Sequence, residues 1–493
     1  MAPETIVGQL RQTLTEQYLK DKARKLASEK ARYDEDDELE MSSLLWEGQF
    51  GSLEYEAVMN QERGTMLTLD FESGDSIEMS AAEVWKLIFD SNKPYILSAN
   101  GTIFRSDSEG VIPGLLTKWY SDRKTMQKKL KESTTKEDIE YWDKRQLVRK
   151  ILLNSAYGAL LNEHCRFYDK RIGQSVTLSG RQIVKHMSAQ INEIITGKYD
   201  YYGDAIVYGD TDSCYFSAWP TLKKQDVDWS KELCVQLYDN IADQANETFP
   251  SFCERAFHVP RKMCVIKAGR ELIGDRSLFI TKKRYAINIF DKEGKRLDKD
   301  GKQGKIKAMG LDLKRADTPK YVQDFLFEVL EMVLAGKTRE DVIERIKEFK
   351  VELGKQDSWT KGSPKGVNKL TFYGDLETNS KTGKANMPGH VRAALNWNYL
   401  RRVNSDNYSM KILDGMKVIV CKLKPNPLGF TSVAYPVDEL RLPKWFQELP
   451  FDDQAMEATL VDKKVENLLG VLKWDLKANT DTNSTFDNLF SFS

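Results

Sequence analysis

The sequence predicts an α+β fold, with helices and antiparallel strands in separate stretches rather than in regular alternation. Three observations lead there. Two long helical patterns, from about Leu115 to Lys131 and from about Glu137 to Leu160, are joined by a short link, the mark of an antiparallel helical hairpin. Two β-branched and aromatic runs, AIVY (205–208) and CYF (214–216), flank a GDTDS turn. Residues 44–105 carry short alternating or aromatic runs broken by Gly and Asn.

Taken in order, the first stretch, to about residue 30, reads as an amphipathic helix that ends in a charged loop. Within 44–105, MLTLDF and TIFR read as strands. The link between the two long helices is Ser133-Thr134-Thr135, and Glu137 stands three residues after Thr134, a capping-box spacing. A third helix is predicted over 174–196, and a second strand pair around 262–290. The final third holds helices over 319–351, a loop-rich stretch over 354–390 and strands near 417–435. From Asn479 the chain reads as a polar tail with a few aromatics.

At 493 residues the chain is long enough for roughly two to four domains. It is 41% hydrophobic and 30% charged, an ordinary globular balance that excludes a disordered or collagenous chain. No apolar run approaches the ~20 residues of a membrane-spanning helix, so no membrane partner is expected. The six cysteines form no C-x-x-C pair and do not cluster with the four histidines, which argues against zinc and against a disulfide framework. Scattered thiols fit a reducing cytoplasm. The 74 basic and 74 acidic residues cancel, but not locally. Residues 33–56 sum to −9 and 451–493 to −4, whereas 118–150 sum to +5 and 281–320 to +7. A single charge run is usually a solvated face; two separated basic stretches beside other motifs favour a polyanionic ligand.

Four motifs carry chemistry. In Tyr208-Gly209-Asp210-Thr211-Asp212-Ser213, residues two apart on a strand share a face, so Asp210 and Asp212 can present carboxylates on one side of a hairpin tip. Hard divalent ions such as Mg²⁺ take such oxygen ligands. The same D-x-D spacing at Asp34/Asp36, Asp226/Asp228 and Asp298/Asp300 lacks the strand context and reads as solvated loop. In Lys150-Ile-Leu-Leu-Asn154-Ser-Ala-Tyr157-Gly158, the residues Lys150, Asn154 and Tyr157 share one helix face. Arg123, on the partner helix, could converge with Lys150 on a triphosphate; a solvated basic face is the competing reading. In Lys282-Lys283-Arg284-Tyr285, alternation puts Lys283 and Tyr285 on one side of a strand, a basic and aromatic pair suited to a nucleic-acid backbone. At the C-terminus, Phe486, Leu489, Phe490 and Phe492 form an apolar anchor on a polar tail, of the kind that docks into a partner's pocket or folds back on its own domain.

Together these residues resemble family B DNA polymerases, most closely those of T-even-type bacteriophages. KILLNSAYGAL is similar to the fingers motif (motif B), YGDTDS to the palm motif (motif C), KKRYA to the K-x-Y motif, and KAMGLDLKRADTPK to the palm-to-thumb crossing. Arg270-Glu271 and Pro388-Gly389-His390-Val391-Arg392 follow in matching order. The resemblance implies a right-hand polymerase fold: an antiparallel-sheet palm from 1–109 and 164–310, short helical-hairpin fingers from 110–163, a mixed α/β thumb from 311–480 and a clamp-binding tail from 481–493. It implies template-directed addition of a dNTP to a primer 3′-OH with two Mg²⁺ ions. Asp212 would be a metal ligand with Asp210 beside it. Arg123, Lys150 and Asn154 would hold the triphosphate, and Tyr157 would lie under the nascent pair. Gly158, Lys283, Arg284 and Tyr285 would contact primer-template DNA, and the C-terminal anchor would bind a sliding clamp. The setting implied is the cytoplasm of an infected bacterial host.

Three departures from the family pattern shape the expectation. Gln127 stands where the family carries a second triphosphate lysine, with Lys128 next to it. The 3′–5′ exonuclease domain is missing. Motif A, which supplies an aspartate that bridges both metals, is also missing, and Ala2-Pro3-Glu4-Thr5-Ile6 resembles the segment just downstream of it. Two carboxylates on one turn are a thin clamp for two ions roughly 3.5–4 Å apart. The chain is therefore expected to be the C-terminal half of a split polymerase, paired with an N-terminal subunit that carries the exonuclease and motif A, with an artificially truncated polymerase as the plain alternative. A catalytically silent DNA-binding and clamp-docking subunit, and a fragment of a protein-primed family B polymerase, are the alternatives.

Overall fold

A computed structural model describes residues 1–12, 66–223, 230–299, 303–374 and 387–474. Backbone contacts divide the chain into two compact units, Met1–Arg270 and Glu271–Ser493. Among the described residues all strand pairings are antiparallel, and the helices lie largely between the sheets in sequence, in agreement with the α+β expectation.

The first unit opens on β1 (Ile6–Gln12), which lies in the middle of a five-stranded sheet. Its neighbours are β2 (Met66–Phe71) and β3 (Ser76–Ser80) on one side, and β5 (Thr102–Arg105) and β4 (Tyr95–Leu97) on the other. The N-terminal helix expected from the sequence is therefore a strand over residues 6–12; residues 13–65 lie outside the described part. Pairing on both edges overrides local helix preference, and Ile6, Gly8 and Leu10 are buried in strict alternation. A Cβ on Gly8 would stand 2.5 Å from the carbonyl oxygen of Asp70, so this crossing requires glycine. Leu10, Leu67, Leu69 and Ile103 close the sheet against a short helix, Ala81–Trp85, through Ala81 and Val84. The runs MLTLDF and TIFR are β2 and β5, as read from the sequence.

Next comes the helical hairpin, α1 (Val111–Glu132) and α2 (Lys136–Leu160). Its cap lies one residue later than the spacing suggested. Thr135, not Thr134, takes the extended N-cap conformation and accepts a hydrogen bond from Asp138 N at 3.1 Å, because Asp138 repeats the same three-residue spacing. Helix α1 has no buried residue and α2 only Leu160. The hairpin is thus an arm about 33 Å long, held mainly by contact between its own helices.

Helix α3 (Lys170–Thr196) begins four residues earlier than predicted, because Asp169 caps it through the N–H of Arg171. It is bound to the sheet by a buried polar cluster. Asn100 Oδ1 accepts from Ser98 Oγ and Ser175 Oγ at 2.6 and 2.7 Å, and Asn100 Nδ2 donates to the Arg171 carbonyl. On its other side α3 meets α4 (Lys231–Phe257) around His186, which is 5% exposed and stacks on Phe252 with ring centroids 4.1 Å apart. Thr248 Oγ1 donates to the Ala245 carbonyl, so it must accept from His186 Nε2–H, while Nδ1 accepts from Tyr199. Burial, with Arg255 nearby, holds this imidazole near pKa 4 instead of 6.5. Between those values the unfolded chain binds a proton that the folded chain refuses, so stability falls as pH falls. The first unit should therefore lose up to about 3 kcal/mol between pH 6.5 and 4. Melting curves across that range check this; in His186→Gln that share of the pH dependence should vanish.

In the second unit β9 (Arg284–Lys292) is the central strand of a four-stranded sheet with β8 (Leu272–Thr281), β10 (Lys295–Arg296) and β11 (Lys305–Met309). Leu278, Ala286 and Ala308 on this sheet share one core with α5 (Lys320–Ala335), α6 (Arg339–Gly354) and α8 (Lys463–Leu469). A separate core surrounds Trp397 on α7 (Gly389–Val403), packed on the sheet of β12 (Ser363–Gly366), β13 (Lys417–Lys422) and β14 (Ser432–Pro436). Here β12 and a helical turn at Leu370–Tyr373 interrupt the stretch read as loop.

Candidate active site

The GDTDS turn is the tip of a two-residue hairpin. Strand β6 (Ile206–Asp210) pairs with β7 (Ser213–Phe216), with Asp210 opposite Ser213. Asp210 therefore ends a strand while Asp212 belongs to the turn, so strand alternation does not relate their side chains. The turn itself does: the Asp212 N–H donates to the Asp210 carbonyl at 2.6 Å. Asp210 Oδ1 accepts from Thr211 Oγ1 at 3.1 Å, and Asp212 is exposed. Thr211 takes φ +49°, a left-handed conformation costly for a β-branched residue. Glycine would relieve that strain but would lose the hydroxyl that bonds the Asp210 carboxylate. Beneath the tip, Ile206, Cys214 and Phe216 pack on Met187 and Ile191 of α3 and on Ile241 and Phe249 of α4.

The loop that leads into β6 is pinned by Asn192, which is 1% exposed. Its Nδ2 donates to the Lys198 carbonyl and its Oδ1 accepts from the Ala205 N–H. Gly203 lies directly on it, where a Cβ would come within 2.1 Å of the amide nitrogen. None of the sequence motifs above points to Asn192. An Asn seated one turn before the end of a long helix, ahead of a Gly-containing connection, is the signal that could have found it.

On the hairpin arm, facing pairs fix the register. Asp122 meets Arg149 at 3.3 Å, Arg123 Nε donates to Gln146 Oε1 at 3.4 Å, and Lys129 lies 4.5 Å from the Trp142 ring. Gln146, Lys150 and Asn154 follow at steps of four on α2, so Arg123 sits one turn from Lys150 along one face. Gln127, four after Arg123, shares the face of Arg123. Lys128 is turned about 100° away and lies 3.9 Å from Glu132. Tyr157 leans back on α3, with its hydroxyl 2.6 Å from Thr177 Oγ1. A Cβ on Gly158 would stand in open space, so nothing among the described residues demands glycine there.

The KKRY segment differs from the sequence reading. Lys282 and Lys283 are the two turn residues of the β8–β9 hairpin, with Thr281 opposite Arg284 and Lys283 at φ +64°. Alternation therefore does not put Lys283 beside Tyr285. Tyr285 is 8% exposed and stacks on Phe279, whereas Lys283 is exposed at the tip. The remaining D-x-D pairs are elsewhere: Asp298 is nearly buried in an ion pair with Arg296 at 2.8 Å rather than solvated, and Asp34/Asp36, Asp226/Asp228 and Asp300 lie outside the described residues. So do the acidic stretch 33–56 and the anchor Phe486, Leu489, Phe490 and Phe492.

Asp210 and Asp212 are hard oxygen donors at an accessible tip and fit a divalent cation. They fit it incompletely, since among the described residues no group of three or more His, Cys, Asp or Glu side chains could hold a metal ion. No described helix is long and apolar enough to cross a membrane.

The described residues thus form an antiparallel α+β chain with two carboxylates at one hairpin tip and a helical arm that carries basic side chains. The family model for DNA polymerase family B matches residues 53–426, and the chain belongs to that family. It is 28% identical over 409 residues to the DNA-directed DNA polymerase of Enterobacteria phage T4, covering 69% of this chain and 44% of that protein. To the DNA-directed DNA polymerase of Escherichia phage RB69 it is 29% identical over 309 residues, covering 59% of this chain and 33% of the relative. To the DNA polymerase of Thermococcus gorgonarius it is 28% identical over 294 residues, 60% and 32% of the two chains. The matches thus span from about a third to under half of the length of these relatives.

Proposed function

We propose that this chain performs template-directed DNA synthesis, adding a dNTP to a primer 3′-OH, as the C-terminal part of a phage-type replicative polymerase. The observation that carries the reading is the Asp210–Asp212 hairpin tip in a family B chain. In this reading 1–109 and 164–310 are the palm, 110–163 the fingers, 311–480 the thumb and 481–493 a clamp anchor. Asp210 and Asp212 would hold two Mg²⁺ ions together with a further carboxylate from polypeptide outside these 493 residues, a subunit with the exonuclease and motif A. Ions bound there would ease deprotonation of the primer hydroxyl and neutralise the departing pyrophosphate.

The chain's own residues do the remaining work. Lys150 and Arg123 place positive charge along the triphosphate, and Asn154 offers an amide one turn further on. Tyr157, fixed by Thr177, supports the nascent base pair, and the bare backbone at Gly158 lets the template approach closely. Lys283 and Arg284 supply charge to the primer backbone, with the Tyr285 ring supporting them from below.

A second reading, a catalytically silent subunit for DNA binding and clamp docking, is favoured by the two-carboxylate turn. Primer extension separates the two. Alone, the chain should bind primer-template DNA but extend it at least 10³-fold more slowly than with a polypeptide carrying exonuclease and motif A, the loss expected for an incomplete metal clamp. With a sliding clamp added, removal of residues 486–493 should shorten products while single-nucleotide insertion is unchanged. Full activity of the chain alone would overturn the need for a further subunit. No gain on complementation would favour the silent reading, and unchanged product length would remove the clamp.

A further inference from the structure

One carboxylate of the second unit lies where the Lys282–Lys283 turn meets the helical core, and the proposed function leaves it without a role. Asp312 follows β11 and its side chain is 13% exposed. Four donors from three segments surround it. Arg284 Nη2, on the strand that leaves the turn, stands 3.4 Å from Oδ2. Asn467 Nδ2, on α8, donates to the same oxygen at 3.3 Å. Lys464 Nζ, one turn earlier on α8, lies 3.7 Å from Oδ1, and Arg315 Nε lies 3.8 Å from it.

These donors are themselves anchored. Lys464 Nζ also donates to Thr318 Oγ1 at 2.8 Å, and α8 is fixed in the core by Val465, Leu468 and Leu469. Arg315 is held by Asp317 at 3.0 Å, and Asp317 in turn by Lys365 at 2.8 Å. The turn is supported from below as well. Gly310, at φ +64°, lies so close to it that a Cβ would come within 2.2 Å of the Lys283 carbonyl oxygen. Backbone contact at Gly310 and the ion pair at Asp312, two residues apart, thus hold the turn against α8.

We propose that Asp312 is a positioning residue: through Arg284 it fixes the Lys282–Lys283 turn in the orientation that meets a nucleic-acid backbone. The inference rests on the reading of Lys283 as a backbone contact. Its charge logic makes it sharp. A carboxylate among cations that face phosphates weakens binding by simple Coulomb repulsion, so its removal should tighten the complex. If its work is to hold the turn, its removal should loosen the complex, although a negative charge has gone.

The test measures primer-template binding by the full chain, by fluorescence anisotropy at fixed salt. It compares wild type, Asp312→Ala, Asp312→Asn, Lys283→Ala and the double variant Asp312→Ala/Lys283→Ala. Melting temperatures are recorded alongside, and Asp312→Asn, which keeps an acceptor for Arg284, guards against loss of fold. Asp312→Ala should weaken binding about 5- to 10-fold and Asp312→Asn about 2- to 3-fold. In the Lys283→Ala background the same substitution should change binding by no more than about 2-fold, the share that Arg284 itself carries, because the lysine that Asp312 positions is gone. A merely structural role would weaken both backgrounds equally. Tighter binding by Asp312→Ala, or equal losses in both backgrounds, would overturn the positioning role. No effect of Lys283→Ala by itself would instead remove the DNA contact on which it rests.

Discussion

Replacing Asp212 with Asn in the complete enzyme should lower nucleotide insertion at least 10³-fold, about 4 kcal/mol of barrier, while leaving melting temperature and DNA affinity within error. The asymmetry follows from the turn. Asp212 is exposed, and only its backbone N–H is engaged among the described hydrogen bonds, in the contact to the Asp210 carbonyl that an asparagine keeps. Nothing in the fold depends on its charge, so a large loss of activity would have to come from a ligand or reacting group. Asp210 is a different case, since its carboxylate also accepts from Thr211 and it closes the β6–β7 ladder opposite Ser213. Asp210→Asn should therefore act on the hairpin as well as on the chemistry. Single-turnover insertion with saturating DNA and dNTP, beside a thermal melt, makes the comparison. More than a tenth of wild-type insertion in Asp212→Asn would remove Asp212 from the catalytic clamp.

What the sequence disclosed and what it hid follow one physical line. The elements read correctly are those whose signal is local. The α1–α2 hairpin shows as two long periodic runs around a polar link, β6–β7 as β-branched and aromatic runs around a turn, and α5–α6 as a further pair. The element read wrongly, β1, owes its conformation to partners distant in sequence. Its neighbours are residues 67–71 on one side and 102–104 on the other, and no window of the first dozen residues contains either.

The site behaves in the same way. The candidates Asp210, Asp212, Lys150, Asn154 and Tyr157 lie in two short windows, which is why a sequence can single them out. The supports do not. Gln146 is a partner of Arg123 only because two helices run antiparallel in one register, and Asn192 holds the loop before β6 from the end of another helix. The error at Lys283 has the same root in reverse. Strand alternation fails across a two-residue turn, and nothing in KKRYA marks where the turn ends; the left-handed φ of Lys283 falls on a residue type that rarely adopts it.

Lys150→Ala should reduce kcat/KM for dNTP about 10²-fold, with most of the loss in kcat and little change in stability or DNA affinity. Lys150 is exposed on an arm whose helices bury almost nothing, so truncating it costs the fold little. In the proposed function its value would lie in the charge that builds on the triphosphate as the bond to pyrophosphate breaks, because a cation already in place needs no reorganisation at that moment. Arg123 differs, since Gln146 Oε1 orients its guanidinium beforehand. Gln146→Ala should thus cost a few-fold through Arg123, and almost nothing once Arg123 is itself alanine. Lys150→Arg should recover part of the loss, because the charge is kept and only its geometry changes. Steady-state kinetics over dNTP concentration give the partition. A loss confined to KM, with kcat intact, would make Lys150 a ground-state binding residue and would sink its assignment to the transition state.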